Sequence, residues 1–200
     1  MVKSNLPFCI AFLTLLLVSK RFRDCNAATC NNNCFTRSRA VYYPNSDEEG
    51  TETGACGFGK YGARLNNGLV SAASNLFRNG VGCGACYEVK CTNKYYCSDK
   101  GVTVAITDHG YSGNADFILS RKAFRRMAAN KHSAESILAF GIVNVEYRRV
   151  ACTYDNKNIT IKIDENSDYP YYLAFVLRYQ QGKKDITAVQ ICEVINNEIK

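Results

Sequence analysis

The cysteines of the stretch GVGCGACYEVKC, residues 80–91, have a spacing that suggests chemistry. Cys83 and Cys86 are separated by two residues, and Cys91 follows five positions later. A Cys-x-x-Cys pair could be half of a zinc site, the redox pair of a thioredoxin-like enzyme, or two members of a disulfide framework. The compartment in which the protein works decides between these three kinds of chemistry.

The start of the chain has the pattern of a secretory signal peptide. Lys3 supplies a positive charge, residues 6–18 (LPFCIAFLTLLLV) form an apolar run, and the small residues Ala27 and Ala28 follow. This run fits the apolar core of a signal, about 7–15 residues, and is shorter than the roughly 20 residues of a spanning helix. The basic cluster at residues 20–23 leaves a short membrane anchor as the alternative. We expect residues 1–28 to be removed and the mature protein to be secreted, with no membrane association.

Secretion favours disulfides over metal or redox chemistry. Eleven cysteines are present, and nine remain once Cys9 and Cys25 leave with the signal. So dense a set normally forms disulfides in an oxidising compartment. The chain has two histidines, His109 and His132, and neither has finger-like spacing to the cysteines. The alternation that begins at Tyr87 continues as a strand, whereas a thioredoxin-like pair would open a helix. No metal and no cofactor are expected.

The charge of the chain is moderately basic. The formal net charge is +7, and removal of the signal leaves 21 basic and 17 acidic residues, a net charge of +4. The chain contains no run of basic residues long enough to suggest a nucleic-acid partner.

Ser120 can cap a helix that extends to Asn130 and carries a basic face. That face is either a solvated surface or a contact for an acidic polysaccharide, and it comprises Arg121, Lys122, Arg125 and Arg126.

Two regions differ in character along the mature chain. Up to about Cys152, a predicted helix at residues 69–77 and predicted strands at 87–91, 102–107 and 141–150 indicate a compact β-rich domain. Beyond Cys152 the strand-like segments are residues 159–163, 171–179 and 186–195. They resemble the beginning of a β-sandwich, which needs about seven strands, so a truncated second domain is expected. Asn158 opens an Asn-Ile-Thr sequon for glycosylation.

An ordered set of motifs resembles plant expansins. The motifs are GACGF at residues 54–58, CGACYEVKC at 83–91, Cys97, VAITD at 104–108, the LSRKAF run at 119–124 and YRRVAC at 147–152. The nearest likeness is to the expansin-like A subgroup, whose mature chains also begin with a close cysteine pair. The resemblance implies a mainly β fold with one or two short helices. A six-stranded double-psi β-barrel similar to family-45 endoglucanases would span residues 29–153, and a partial immunoglobulin-like sandwich would span 154–200.

The resemblance also implies how the cysteines pair. It joins Cys56 to Cys83, Cys86 to Cys152 and Cys91 to Cys97. We add the pair Cys30–Cys34, which leaves Cys192 single. Cys83 and Cys86 are thereby expected in different disulfides.

One carboxylate is the sole catalytic candidate. Asp108 ends a predicted strand and matches an aspartate position found in part of the expansin family. The family's second acid is the aspartate of a His-Phe-Asp triplet, and Ile118 stands in its place here. Asp116 lies two residues earlier, and we expect it to solvate a loop. Because inverting hydrolysis needs an acid and a base on opposite sides of the sugar, no catalytic residue is assigned.

The remaining site candidates would bind a polysaccharide. Tyr42 and Tyr43 could stack on sugar rings, although alternation predicts that one of them packs inward and that Tyr43 faces the groove. Asp108, Gly57 and Phe58 complete the predicted binding set. The chain has no tryptophan, and the aromatic row of the family's second domain is expected to be absent.

Three functions follow from these readings. The favoured one is a secreted, non-hydrolytic cell-wall protein that binds cellulose, xyloglucan or pectin as a monomer and can modify wall extensibility. The alternatives are a secreted double-psi signalling or defence protein with a protein partner, and a weak glycoside hydrolase that uses Asp108.

Overall fold

The structure is a computed structural model that describes residues 34–44, 50 and 52–192, with the backbone alone at 194–195 and 198–199. Short 3-10 segments lie at Gly59–Tyr61, Leu65–Gly68 and Asn75–Gly80. The strands and α-helices of the described residues are, in chain order, β1 Thr36–Tyr42, β2 Val70–Ala73, β3 Cys86–Cys91, β4 Val102–His109, β5 Phe117–Leu119, α1 Arg121–Arg126, α2 Lys131–Phe140, β6 Ile142–Val150, β7 Thr160–Ile163, β8 Phe175–Arg178, β9 Val194–Ile195 and β10 Glu198–Ile199.

The first six strands close into a barrel in the order β1-β5-β2-β4-β3-β6. β1 is parallel to β5 and β2 is parallel to β4, while the other neighbours are antiparallel. Closure leaves no unpaired edge in this sheet. The prediction of a mainly β fold built on a six-stranded double-psi barrel is confirmed.

The predicted helix at residues 69–77 is wrong. Val70–Ala73 forms β2, and the 3-10 segment Asn75–Gly80 follows. All four residues of β2 are buried, because the strand lies between β4 and β5 in the barrel wall. A strand buried on both faces shows no apolar-polar alternation, so its apolar run also fits helical spacing.

The helical region after β5 contains two helices instead of the single one predicted. Ser120 caps α1 as expected, because its Oγ accepts a hydrogen bond of 3.2 Å from the amide of Ala123. The helix ends at Arg126, and Asn130 then caps α2 by accepting from the amide of Ser133 at 2.9 Å. Asn130 is therefore the start of a second helix and not the end of a single one.

The apolar residues form two buried clusters. The larger fills the barrel and includes Ile106, Phe117 and Leu119, with Phe124 of α1 packed against them. The smaller includes Val70, Cys56, Cys86 and Cys152, and Val176 of β8 packs on it. The sheet of β7 and β8 is thus attached to the barrel through the smaller cluster.

The three disulfides within the described residues are Cys56–Cys83, Cys86–Cys152 and Cys91–Cys97, the pairs that the resemblance implies. Cys83 and Cys86 lie in different bridges, so this pair is neither a redox centre nor half of a zinc site. Cys34 is also disulfide-bonded. Its predicted partner Cys30 lies outside the described residues. Cys192 is a free, exposed thiol.

Among the described residues beyond 153, regular structure is limited to two small sheets. β7 pairs with β8 and β9 pairs with β10, each as a two-stranded antiparallel sheet. The predicted strand at 171–179 is regular only at Phe175–Arg178, and that at 186–195 only at Val194–Ile195. Residues 35–200 form one compact unit, and a domain boundary at 153 stays a prediction.

The predicted signal peptide, residues 1–28, lies outside the described residues. None of the helices in the described ranges has the length and apolar character needed to cross a bilayer.

Candidate functional site

Asp108 is held at the end of β4 by the glycine-rich loop. Its Oδ1 accepts hydrogen bonds from the amides of Ala55 at 2.6 Å and His109 at 2.7 Å. A Cβ added to Gly54 would lie 2.7 Å from the carbonyl oxygen of Thr107 and 3.2 Å from the Cβ of Asp108. The loop can therefore approach the carboxylate only because residue 54 is glycine.

The two candidate tyrosines have different environments. Tyr42 packs in the core, with its ring 5.0 Å from that of Phe124 and its hydroxyl donating to the carbonyl of Leu138 at 3.2 Å. Tyr43 lies beside Asp108 and is only 8% exposed. Burial, followed by the negative charge of Asp108, raises the pKa of Tyr43. Tyr43 thus offers little ring surface for stacking, and its buried hydroxyl faces the Asp108 side chain and the backbone of Ala72.

The register shows where a second carboxylate would stand. Ala72 pairs with Asp108 on one side and with Ile118 on the other. Positions 108 and 118 therefore share one face of the sheet. Their Cα atoms lie about 9.5 Å apart, which is twice the spacing between neighbouring strands. This is near the carboxylate separation of inverting glycosidases, about 6.5–9.5 Å. Ile118 instead packs toward Gly110, where an added Cβ would meet its Cδ1 at 2.8 Å.

Asp116 forms hydrogen bonds that link three segments of the barrel. Its carboxylate accepts hydrogen bonds from Ser38 Oγ at 2.7 Å and from Asn75 Nδ2 at 3.4 Å, and its amide donates to the carbonyl of Arg39 at 3.2 Å. These contacts join β1, the 3-10 segment after β2, and the start of β5. The expectation that Asp116 only solvates a loop is therefore incomplete.

The glycine-rich loop supplies one exposed and one buried candidate. Gly57 is exposed at φ +69°, with open space around the position of a side chain. Phe58 is 2% exposed and belongs to the smaller apolar cluster. No face of the Phe58 ring is open to a sugar, so the structure gives its predicted ligand contact no support.

A polar groove of about 490 Å³ adjoins this site and was not predicted. It lies at the end of the barrel where β4 ends and β5 begins. Its polar side chains match the hydroxyl-rich chemistry of sugars. The sequence signal for it was the polar, glycine-containing run DHGYSGNAD. The lining residues are Ser74, Asn75, His109, Tyr111, Gly113, Asn114, Ala115 and Asp116.

Three exposed tyrosines lie together in the loop between β7 and β8. Tyr169 is 94% exposed, Tyr171 87% and Tyr172 57%. The strand predicted at residues 171–179 includes Tyr171 and Tyr172, whereas the structure begins β8 at Phe175. All three rings reach solvent, and the absence of the family's aromatic row stays a prediction.

The remaining candidates are in keeping with the predictions without testing them. Asn158 is exposed just before β7, so its side chain is accessible. Within the described residues, no group of three or more histidine, cysteine or acidic side chains could hold a metal ion.

Comparisons with known proteins agree with this fold. The DPBB_1 family profile, described as lytic transglycolase, matches residues 70–147, from β2 into β6. The crystal structure of a point mutant of Clavibacter michiganensis expansin in complex with cellohexaose superposes with a TM-score of 0.51 at 20% identity. That match covers 72% of this chain and 63% of the bacterial chain.

Curated relatives are considerably more similar in sequence. Expansin-like B1 of Oryza sativa subsp. japonica is 54% identical over 98% of this chain and 73% of its own length. Expansin-like B1 of Arabidopsis thaliana is 45% identical over 81% of this chain and 65% of its own length. Expansin-like A2 of Arabidopsis thaliana is 40% identical over 92% and 68%. The predicted A subgroup is therefore corrected to B. The chain belongs to the expansin-like family.

Proposed function

We propose that this protein is a secreted cell-wall protein that binds neutral wall glucans of the cellulose or xyloglucan kind without hydrolysing them. The row Asp108–Ala72–Ile118 is the observation that carries the proposal. One carboxylate can serve as acid or as base, but inverting hydrolysis requires both on opposite faces of the sugar. Isoleucine at 118 removes the second group from the place where the barrel would present it.

The surfaces available for binding support the same function. The groove beside His109 offers polar groups to sugar hydroxyls, and the tyrosines between β7 and β8 offer flat apolar faces. The bacterial expansin that shares this fold was crystallised with cellohexaose, and the relatives are named as expansin-like proteins. A monomer with two such surfaces can follow a linear glucan chain without a cofactor.

Secretion is part of the proposal. Three disulfides within the described residues suit an oxidising compartment. N-terminal sequencing of the protein exported from plant cells should begin near residue 29. Recovery of a chain that retains residues 1–28 would contradict this part of the proposal.

Binding and hydrolysis can be tested with one pair of variants. The double variant Tyr171→Ala/Tyr172→Ala should bind cellulose and soluble xyloglucan about tenfold more weakly, because each ring contact contributes about 0.5–1.5 kcal/mol. Tyr95→Ala is the matched control, since Tyr95 is also 87% exposed but lies elsewhere on the barrel. Retention on cellulose and titration with xyloglucan measure the effect.

Reducing-sugar release by the unaltered protein should stay at the level of a heat-inactivated sample. Sugar release that Asp108→Asn abolished would show hydrolysis and overturn the non-hydrolytic function. Equal loss of binding in Tyr95→Ala and in the double variant would remove the tyrosine loop from the binding surface.

A further inference from the structure

A second cavity, of about 400 Å³, lies away from Asp108. It is enclosed by the 3-10 segment Leu65–Gly68, the chain that follows β6, and the end of β8. Asn66, on its wall, donates from Nδ2 to the carbonyl of Thr103 at 2.9 Å, near the start of β4. Asp108 is five residues further along that strand, or about 17 Å. This cavity and the Asp108 site therefore lie toward opposite ends of β4.

The cavity has aromatic walls with cations placed against them. The rings of Tyr154 and Tyr179 are 5.4 Å apart at an interplanar angle of 70°. The guanidinium of Arg178 lies 4.2 Å from the ring centroid of Tyr61, which is cation–π geometry. Flat apolar faces next to positive groups suit a ring that carries a negative charge.

The positive charges of this cavity are not neutralised by neighbouring acids. Arg64, Lys157 and Arg178 line it, and none of them forms an ion pair with a described acidic residue. By contrast, Arg148 on the barrel wall pairs with Glu88 at 2.6 Å. Asp155 is the one acidic residue on the described cavity wall, which leaves a formal excess of two positive charges.

Two buried polar atoms point to a missing partner. Tyr154 Oη and Arg178 Nε are buried, and neither has a hydrogen-bond partner among the described residues. Buried polar atoms in native proteins are almost always satisfied. Burial, followed by the effect of Tyr179, raises the pKa of Tyr154 to about 12, so its hydroxyl is a hydrogen-bond donor at neutral pH. A ligand with acceptor oxygens would satisfy both atoms.

A basic surface continues outward from the cavity. The carbonyl of Asn67, on the cavity wall, accepts a hydrogen bond of 2.6 Å from Lys122 Nζ of α1. Lys122 also lines a shallow hollow of about 310 Å³ with Arg126 and Lys131. Positive groups therefore extend from the cavity across α1, and a polymer with repeated negative charges could follow them.

The structure assigns to this cavity the binding of an acidic polysaccharide through a uronate residue, with the polymer continuing over α1. The carboxylate of the sugar would pair with Arg178, Lys157 and Arg64, and its ring would lie against the tyrosines. A neutral glucan would leave the same three cations unpaired. This cavity shares no residue with the Asp108 site or with the polar groove beside His109, so binding at the two places is independent.

Polygalacturonate and its methyl ester are suitable probes, because they share a sugar ring and differ in charge. The full mature chain should bind polygalacturonate at least tenfold more tightly than the methyl-esterified polymer. Arg64→Gln/Lys157→Gln should abolish most of this preference while leaving retention on cellulose unchanged. Lys94→Gln/Lys100→Gln is the matched control, since both lysines are exposed and the variant loses the same charge.

The result that would overturn the site is equal weakening by the control variant, which would indicate only general attraction between opposite charges. An absent preference for the unesterified polymer would overturn it as well. Tyr154→Phe removes only the buried hydroxyl and should weaken binding several-fold with unfolding stability retained. Full binding by Tyr154→Phe would place the ligand outside the cavity.

The extension over α1 has its own test. Arg126→Gln/Lys131→Gln should weaken binding of the long polymer and leave trigalacturonate unaffected, because a trisaccharide held in the cavity is too short to follow the helix. Equal weakening of both ligands, or of neither, would contradict the extended path.

Discussion

Asp108 shows how one side chain can belong to a site and to the fold at the same time. The amides of Ala55 and His109 both donate to its Oδ1, so the backbone fixes the orientation of the carboxylate. Tyr43 lies beside it, buried and without room to stack. The orientation of Asp108 is therefore fixed by the fold before any ligand binds.

Tyr154 should make the free energy of unfolding depend on pH. Its pKa is raised from 10.0 to about 12 by burial, so the fold favours the neutral phenol. The stability that this provides is complete below pH 10 and is lost as the pH rises toward 12. Between pH 8 and 10.5 the unaltered protein should lose about 1 kcal/mol of unfolding free energy through this group. Urea unfolding at the two pH values measures the loss.

The comparison with Tyr154→Phe isolates this effect from other titrating groups, including Tyr43. The variant should lose less stability than the unaltered protein over the same interval. Tyr95→Phe, at an exposed position, should retain the original pH profile. Identical profiles for the unaltered protein and Tyr154→Phe would show that this tyrosine is not buried as the structure describes.

At the scale of elements, the sequence predicted the strands that have one covered and one open face. The alternation of apolar and polar residues located β3 and β6 within about one residue, and Ser120 located the start of α1. β2 is not predicted as a strand because all four of its side chains are buried, so its sequence has no alternation of apolar and polar residues. α2 is not predicted because asparagine is favourable at either end of a helix, and Asn130 caps the start of α2 instead of ending α1.

The candidate site was less predictable than the strands that carry it. Motif order identifies Asp108 and Ile118, but the apolar run around Ala72 also fits a helix, so the row that joins the three residues does not follow from the sequence. The groove at the barrel end depends on loops between β4 and β5, whose side-chain directions have no period. The tyrosines at 169–172 were overlooked because aromatic residues in a loop and in a strand look alike in sequence.

The sheet of β7 and β8 should be less protected than the strand pairings of the barrel. It has two strands, and Ile161 and Ile163 are exposed on it, whereas a lone two-stranded sheet is marginally stable in water. Its amides should exchange with solvent at least tenfold faster than those of β4, which is paired on both edges inside the barrel. Hydrogen exchange followed by mass spectrometry, with the disulfides intact, measures both. Equal protection would mean that the contacts of Val176 with the barrel stabilise the sheet as well as the barrel stabilises itself.

At the scale of the whole molecule, the disulfides differ in the length of chain that they enclose. Cys86–Cys152 joins the start of β3 to the chain just after β6, with a sequence separation of 66. Cys91–Cys97 closes a short loop, with a separation of 6. The longer bridge therefore restricts the unfolded chain far more, and it also lies in the apolar cluster that attaches β8 to the barrel.

Removing the two bridges separately should show this difference in stability. In a Cys192→Ser background, which prevents mispairing with the free thiol, Cys86→Ala/Cys152→Ala should lower the unfolding free energy by about 4 kcal/mol and Cys91→Ala/Cys97→Ala by about 2 kcal/mol. The two variants are matched, since each loses one bridge and two sulfur atoms. The deeper burial of Cys86 and Cys152 acts in the same direction as loop length. Urea unfolding gives both values, and an equal loss would show that neither loop length nor the link to β8 governs the stability of the molecule.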